Sequence, residues 1–302
     1  MNIREQIISP YVISQDIGRL VTNWGVSSGN SVPEKSYFKG MTCELETVLN
    51  QIFPKVEIID EEYLSKGMQS LVENSDLPVV SLDRCYIQPN TKNVYGFLDV
   101  SRCVDENFNK FGLSGRNTQN IDSQMDELCQ KLKGVDRIAI IDDVLFEGAT
   151  HKQVAALFKA RGIKLEEVLT GIAIGDGIKN LENEGIKVKS LIIYKSVIDE
   201  ICERDFTAGV PFSGRTVIAK DNSVYGAPYF EPFGNPIDWA SIPEDKVKEL
   251  SGYCIESSIY LWKNIERRSQ KSISTEEVPK RVFGLEKNNS VVSALSNIKY
   301  RD

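Results

Sequence analysis

Histidine is almost missing from this chain: His151 is the only one in 302 residues. A zinc site built on several imidazoles is excluded, and a Ser-His-Asp or Cys-His scheme would have to run through His151 itself. The six cysteines, Cys43, Cys85, Cys103, Cys129, Cys202 and Cys254, are scattered and include no Cys-x-x-Cys pair. That usage suits reduced thiols in a cytoplasm rather than a disulfide framework. No apolar run approaches the ~20 residues that a membrane-spanning helix needs, and the opening residues Met1 to Gln6 lack the apolar segment of a signal peptide. These absences lead us to expect a cytoplasmic protein with no membrane contact. Positive charge is also in short supply, with a net charge of −7 and a pI of about 5.1. A broad nucleic-acid surface is therefore not expected. No internal repeat is visible. What is present is 41% hydrophobic residues, enough to bury one large domain or a core with elaborations.

The most informative stretch is Arg137 to Thr150. Ile138 to Ile141 are four apolar residues in a row, the pattern of a strand buried on both faces of a parallel sheet. Asp142 and Asp143 follow, where that strand is expected to leave the core. Gly148, Ala149 and Thr150 then open a helical pattern, with Val154, Leu157 and Phe158 on its apolar face and Gly162 as its stop. Thr150 and Gln153 have the spacing of a capping box. Small residues at a helix start leave backbone N–H groups free to face an anion, and the helix dipole favours a phosphate there. Adjacent carboxylates at a strand end accept hydrogen bonds from a pair of sugar hydroxyls, or hold a hydrated Mg²⁺. A sugar phosphate satisfies both halves at once.

This stretch resembles the phosphoribosyl-pyrophosphate (PRPP) motif of type I phosphoribosyltransferases: four apolar residues, two acids, two apolar residues, then a small-residue loop. The resemblance implies that Asp142 and Asp143 act as the catalytic, ribose-binding acids and help hold Mg²⁺, directly or through water. It implies that Phe146, Glu147, Gly148, Ala149 and Thr150 bind the 5′-phosphate. Phe146 and Glu147 depart from the family pattern, which places small hydroxyl residues there. A carboxylate ~4 Å from a phosphate costs roughly 4 kcal/mol at an effective dielectric of ~20. Glu147 must therefore point away, or be offset by Lys152 or His151, or the bound group is not the usual phosphate.

Around the motif, the apolar spacing predicts helices over residues 10–24, 37–53, 68–72, 123–132, 178–183 and 245–268, and strands over 56–59, 77–82, 94–100, 167–174 and 188–194. The strands at 77–82 and 94–100 flank strong turn chemistry at 88–93 and could form a hairpin instead of joining a parallel sheet. Residues 137–194 alternate β-α-β-α-β, which gives a parallel sheet with helices on both faces and a ligand beyond the strands' carboxyl ends. The polar stretch 104–121 reads as a long loop carrying Lys110 and Arg116. By resemblance it is the family's mobile loop that closes over pyrophosphate, and Arg84, Arg102 and Arg116 are pyrophosphate candidates from chain order. Residues 201–243, with Phe206, Phe212, Tyr225, Tyr229, Phe230, Phe233 and Trp239 set among glycines and prolines, correspond to the family's hood over the base. Residues 270–302 read as a loose tail or a docking segment for a partner.

The expected fold is thus an α/β protein. It has an N-terminal helical elaboration (1–76), a phosphoribosyltransferase-like parallel-sheet core (77–200), an irregular aromatic hood (201–243), and a C-terminal helix and tail (244–302). The expected activity is transfer of a phosphoribosyl group to a base, with Mg²⁺, a small-molecule substrate (PRPP or a nucleotide), and a protein partner or homo-oligomer left open. Two other readings use the same acids. One is a PRPP- or nucleotide-binding regulator without catalysis. The other is a glycosidase-like effector of a bacterial defence system that attacks nucleotides with water.

Overall fold

The structure, a computed structural model, describes residues 8–115 and 120–298. The chain divides into two compact units, one formed by Asp60–Ser196 and the other by the flanking segments up to Ile59 and from Val197.

The flanking unit opens with β1 (Tyr11–Ser14), α1 (Ile17–Ser28), α2 (Lys35–Leu49) and β2 (Val56–Ile59). The helix expected over 10–24 is therefore a strand followed by a helix. Tyr11, Val12 and Ile13 are aromatic and β-branched, and every residue of β1 is buried. Such a run fits a central strand better than one face of a helix.

The middle unit carries α3 (Glu61–Glu73), β3 (Val79–Ser81), β4 (Val94–Phe97), β5 (Ser101–Val104), β6 (Lys110–Ser114), α4 (Ile121–Lys131), β7 (Arg137–Leu145), α5 (Ala149–Lys159), β8 (Lys164–Ile174), α6 (Gly175–Glu182) and β9 (Lys187–Tyr194). Helix α3 is longer than the apolar residues alone suggest. Asp60 caps it by accepting from the N–H groups of Glu62 and Tyr63, at 2.9 Å each, and Glu61 and Glu62 complement the dipole of its first turn. Strands β3 and β4 run parallel, so the hairpin alternative is excluded. The linker 82–93 is long enough for the crossover that parallel neighbours require.

Five parallel strands form the sheet of this unit in the order β4-β3-β7-β8-β9. Ile138 and Ile140 of β7 share a buried cluster with Met125 and Leu128 of α4, Val154 and Phe158 of α5, and Leu181 of α6. Helix α3 covers the opposite face. Its Leu64 and Met68 lie against Gly171 of β8, and the side chain of Leu191 in β9 fills the space beside Gly67. This is the expected parallel-sheet architecture with helices on both faces.

The stretch 104–121 is not one loop. Strands β5 and β6 pair antiparallel, and the turn between them is closed by Asp105, whose carboxylate accepts from the N–H groups of Asn107 (2.8 Å) and Asn109 (2.9 Å). The turn chemistry is local, so Lys110–Ser114 can pair back onto Ser101–Val104 despite its polar composition. Likewise the helix expected over 178–183 begins three residues earlier, at Gly175, as α6.

The flanking unit resumes with β10 (Asp199–Cys202), β11 (Arg215–Ile218), β12 (Val224–Ala227), α7 (Pro236–Ala240), α8 (Val247–Ser269) and α9 (Val291–Ser296). Strand β10 joins the free edge of β1, giving a second, three-stranded parallel sheet in the order β10-β1-β2. The expected loose tail is ordered over its described part. Ile273, Val278, Val282, Leu285, Val291 and Leu295 are buried, and Ser274 bridges to Ser290. A few well-spaced apolar residues anchor it although its average composition is polar. Among the described residues no helix is long and apolar enough to cross a membrane.

Candidate functional site

The site grows from the carboxyl end of β7, a central strand of the five-stranded sheet. The strand does not stop before the acids. Asp142 pairs with Thr170 of β8, and the ladder continues to Leu145 opposite Ala173. Backbone pairing to a long neighbour outweighs the dislike of carboxylates for a strand. Successive strand residues face opposite sides, so the two acids diverge. Asp142 is buried, and its Oδ2 lies 3.2 Å from His151 Nε2 on α5. Nε2 of this deeply buried histidine makes no aligned hydrogen bond. Asp143, half-buried, sits in the electrostatic field of Asp83 at the end of neighbouring β3. Each acid also turns one oxygen back onto the chain: Asp142 Oδ1 accepts from Asp143 N (3.1 Å) and Asp143 Oδ1 from Val144 N (2.9 Å).

The phosphate half of the site follows at once. Gly148 has φ 82°, in the left-handed region, and it is the N-cap of α5 with no side-chain cap. A residue with a Cβ would be strained there. The Thr150–Gln153 capping box does not form, because α5 begins at Ala149 and takes Thr150 into its first turn. The first helical bond runs from Lys152 N to Gly148 O. The N–H groups of Ala149, Thr150 and His151 thus precede it and have no partner within the helix, the arrangement that favours an anion.

Helix α6 braces this loop from behind. A Cβ on Gly177 would lie 2.2 Å from Phe146 O, so only glycine permits the approach. Asn180 Nδ2 donates to Glu147 O at 3.1 Å, and Gly148 rests against Leu181. The backbone is held while the Glu147 side chain is exposed. Neither offset considered from sequence is realised as a contact: Lys152 pairs with Glu184 at 3.3 Å, and His151 is turned to Asp142. Exposure of Glu147 is the remaining route by which its charge avoids the loop.

Asp83 is the residue that sequence reading passed over. It is buried (3% exposed), and its carboxylate accepts from three consecutive N–H groups: Cys85 (3.0 Å), Tyr86 (2.7 Å) and Ile87 (2.8 Å). Burial pushes its carboxyl up to about 6, with the charge of Asp143 adding to the rise and the three N–H bonds opposing it. The available signal was an Asp directly after a short β-branched strand, a position of Asx-turn chemistry.

The arginine candidates are dispersed. Arg84 Nε meets Asp99 Oδ1 at 3.1 Å, and its guanidinium lies 4.8 Å from the centre of the Phe97 ring. Asp99 is itself fixed through its backbone by the amide of Gln124. Arg102 is exposed on β5, and Arg116 lies outside the described residues. The structure therefore gathers Asp142, Asp143 and the loop Phe146–Thr150, and adds His151 and Asp83.

The α/β core with paired acids leading into an uncapped helix start is the arrangement that the resemblance to type I phosphoribosyltransferases implies, and part of the chain is similar in sequence to proteins of that name. The chain is 32% identical over 57 residues, 19% of its length, to a hypoxanthine/guanine phosphoribosyltransferase of Methanohalophilus mahii. It is 38% identical over 65 residues to the protein of that name in Methanocella paludicola. These matches span 30% and 33% of the relatives' own lengths. No protein-family model matches. Among solved structures, an adenine phosphoribosyltransferase from Thermoanaerobacter pseudethanolicus aligns with 44% of this chain and 79% of its own, at 16% identity and a TM-score of 0.29. Over the stretch it shares with these relatives, the chain is phosphoribosyltransferase-like.

Proposed function

We propose that the five-stranded unit binds a ribose 5-phosphate group, carried by PRPP or a nucleotide, and that the protein transfers the phosphoribosyl group to a base with release of pyrophosphate. The carrying observation is the adjacency of two features. Asp142 and Asp143 lie in the last four residues of the strand, and five residues after Asp143 the left-handed Gly148 opens an uncapped helix start. The first pair accepts hydrogen bonds from ribose hydroxyls. The second feature donates N–H groups to the 5′-phosphate. As pyrophosphate leaves C1′, positive charge grows on the ribose, and fixed carboxylates nearby stabilise it.

Among the described residues no group of three or more His, Cys, Asp or Glu side chains is arranged to hold a metal. Two carboxylates still fit Mg²⁺, which typically keeps several waters and is shared with substrate phosphates. Asp142 and Asp143 are the residues that would hold it, through water, and bound Mg²⁺ would supply charge neutralisation for the diphosphate. Arg84 and Arg102 stay as candidates for the same end of the substrate.

The test is the double substitution Asp142→Asn with Asp143→Asn. Titration calorimetry with PRPP and Mg²⁺ should show binding by the wild type and none by the variant, with both circular dichroism spectra alike. Unchanged affinity in a folded variant removes the assignment.

A further inference from the structure

The loop after β3 is built like an anion cradle, and it already contains an anion. Three successive N–H groups, those of Cys85, Tyr86 and Ile87, converge on the carboxylate of Asp83. The cradle is rigid. Ser65 Oγ and Gln69 Nε2 of α3 both donate to Tyr86 O, at 3.1 and 3.2 Å, and Ser81 Oγ donates to Asp83 O at 2.6 Å. It also belongs to the carboxyl end of the sheet where Asp142 and Asp143 lie. Strands β3 and β7 are parallel neighbours with Ser81 opposite Ile141, and Leu82 N donates to Ile141 O at 2.8 Å.

The two loops at this end of the sheet are therefore opposite in kind. The Gly148 loop offers N–H groups with no side-chain cap. The Asp83 loop spends its N–H groups on its own carboxylate and sets a negative charge beside Asp143. A ribose phosphate bound with its hydroxyls on the acids and its 5′-phosphate on the Gly148 loop would meet, at its other end, a site that repels a second anion.

We propose that Asp83 is a specificity-determining residue that fills the anion cradle beside the acids and weakens binding of pyrophosphate relative to ribose 5-phosphate. The inference rests on the reading of the Gly148 loop given above. Its consequence for that function is directional. A diphosphate must then be held by its metal and by arginine rather than by backbone N–H groups, and free pyrophosphate leaves readily and returns poorly.

The experiment measures binding of ribose 5-phosphate and of inorganic pyrophosphate separately, by calorimetry on the full chain, in the wild type and in Asp83→Asn. Asparagine keeps an acceptor for the loop N–H groups and removes the charge. The wild type should bind pyrophosphate at least about tenfold more weakly than ribose 5-phosphate, and the substitution should shift that ratio towards pyrophosphate by about tenfold or more. An unshifted ratio in a folded variant overturns the proposal. If Asp83→Asn does not fold, the wild type alone decides, since pyrophosphate binding as tight as that of ribose 5-phosphate overturns it equally. If the wild type binds pyrophosphate but no ribose 5-phosphate, the reading of the Gly148 loop fails as well, which separates the two failures.

Discussion

Among the described residues there are two all-parallel sheets, and each places carboxylates towards the carboxyl ends of its strands, yet they use them differently. In the three-stranded sheet the acids are consumed. Ser14 Oγ donates to Glu200 at 2.8 Å, and Thr42 Oγ1 donates to Glu203 at 2.6 Å. Asp205 accepts from Gly214 N at 2.7 Å. Asp16, fully buried, is paired with the Arg204 guanidinium and also accepts from Arg204 N at 3.0 Å. In the five-stranded sheet Asp142 and Asp143 fold back on their own backbone, beside a loop whose N–H groups are uncapped. Position at a strand end therefore does not by itself mark a ligand site. What separates the two sheets is the kind of partner: hydroxyls, a guanidinium and a backbone N–H hold the acids of the three-stranded sheet, whereas Asp142 faces His151 and Asp143 lies in the field of a second carboxylate, Asp83.

The strongest way to break this comparison is through Asp16. Asp16→Ala would leave the buried Arg204 guanidinium without its carboxylate. Removing one partner of a buried pair costs about 3–5 kcal/mol, so urea unfolding should show a loss of that order. Asp142→Asn should cost no more than about 1 kcal/mol by the same measurement, because it is nearly isosteric and keeps a hydrogen-bonding side chain. Comparable losses at both positions would erase the distinction between a structural and a ligand-binding carboxylate.

The next effect sharpens the account of the loop. Gly177→Ala places a Cβ on Phe146 O, which must move with its loop, whereas Gly40 in α2 has nothing within 4 Å of such a Cβ. Gly177→Ala should cost about 1–3 kcal/mol through overpacking and weaken binding of ribose 5-phosphate. Gly40→Ala should stabilise by roughly 0.5–1 kcal/mol, since alanine loses less chain entropy in a helix. Denaturant melts of both variants check the opposite signs.

These residues also show what could be read in advance and why the rest could not. Ile138 to Ile141 mark a buried central strand, which the structure has, and the acids and small residues after it are what mark the candidate site. The extension of β7 through Asp142 was invisible, because pairing with Thr170 and beyond is made by a segment more than twenty residues away. The same holds for β1: Tyr11–Ser14 is too short for periodicity to separate strand from helix, and only pairing with β2 and β10 decides it. Asp83 was hidden for a different reason. An Asx turn is local, but its burial and its proximity to Asp143 are set by sheet order.

A smaller effect comes from protons. The folded carboxyl of Asp83 is raised to about 6 from an ordinary value of 3.8, so the folded state holds this proton more tightly than the unfolded chain. Below about 3.8 the group adds no penalty. As pH rises from there through 6 the penalty grows, and above 6 it is constant. The wild type should therefore lose stability relative to Asp83→Asn between pH 4 and pH 7, by an amount on the order of 1–2 kcal/mol given the coupling to Asp143. Denaturation midpoints at a few pH values give the difference directly. A gap that is flat with pH would mean that Asp83 is ionised with little cost and that its loop compensates fully.

The smallest expected change concerns Glu147, which decides whether the departure from the family pattern is harmless. Its carbonyl is fixed by Asn180 and its side chain is exposed, while Lys152 is engaged by Glu184. In the proposed reading the phosphate is held through backbone N–H groups, which any side chain at this position leaves in place. Glu147→Thr removes a negative charge from the neighbourhood of an anion, so affinity for ribose 5-phosphate should rise. The gain should be only about two- to fivefold, because water screens an exposed charge, and it should shrink as salt is added. Titrations at low and at high ionic strength separate this electrostatic gain from any change in loop shape, which salt would not cancel. If turnover instead collapses while binding persists, the carboxylate acts on the substrate, for example by positioning a water as a general base. The protein would then be a hydrolase that uses the same sugar-binding acids, and the uncapped helix start would serve a nucleotide's phosphate rather than that of PRPP.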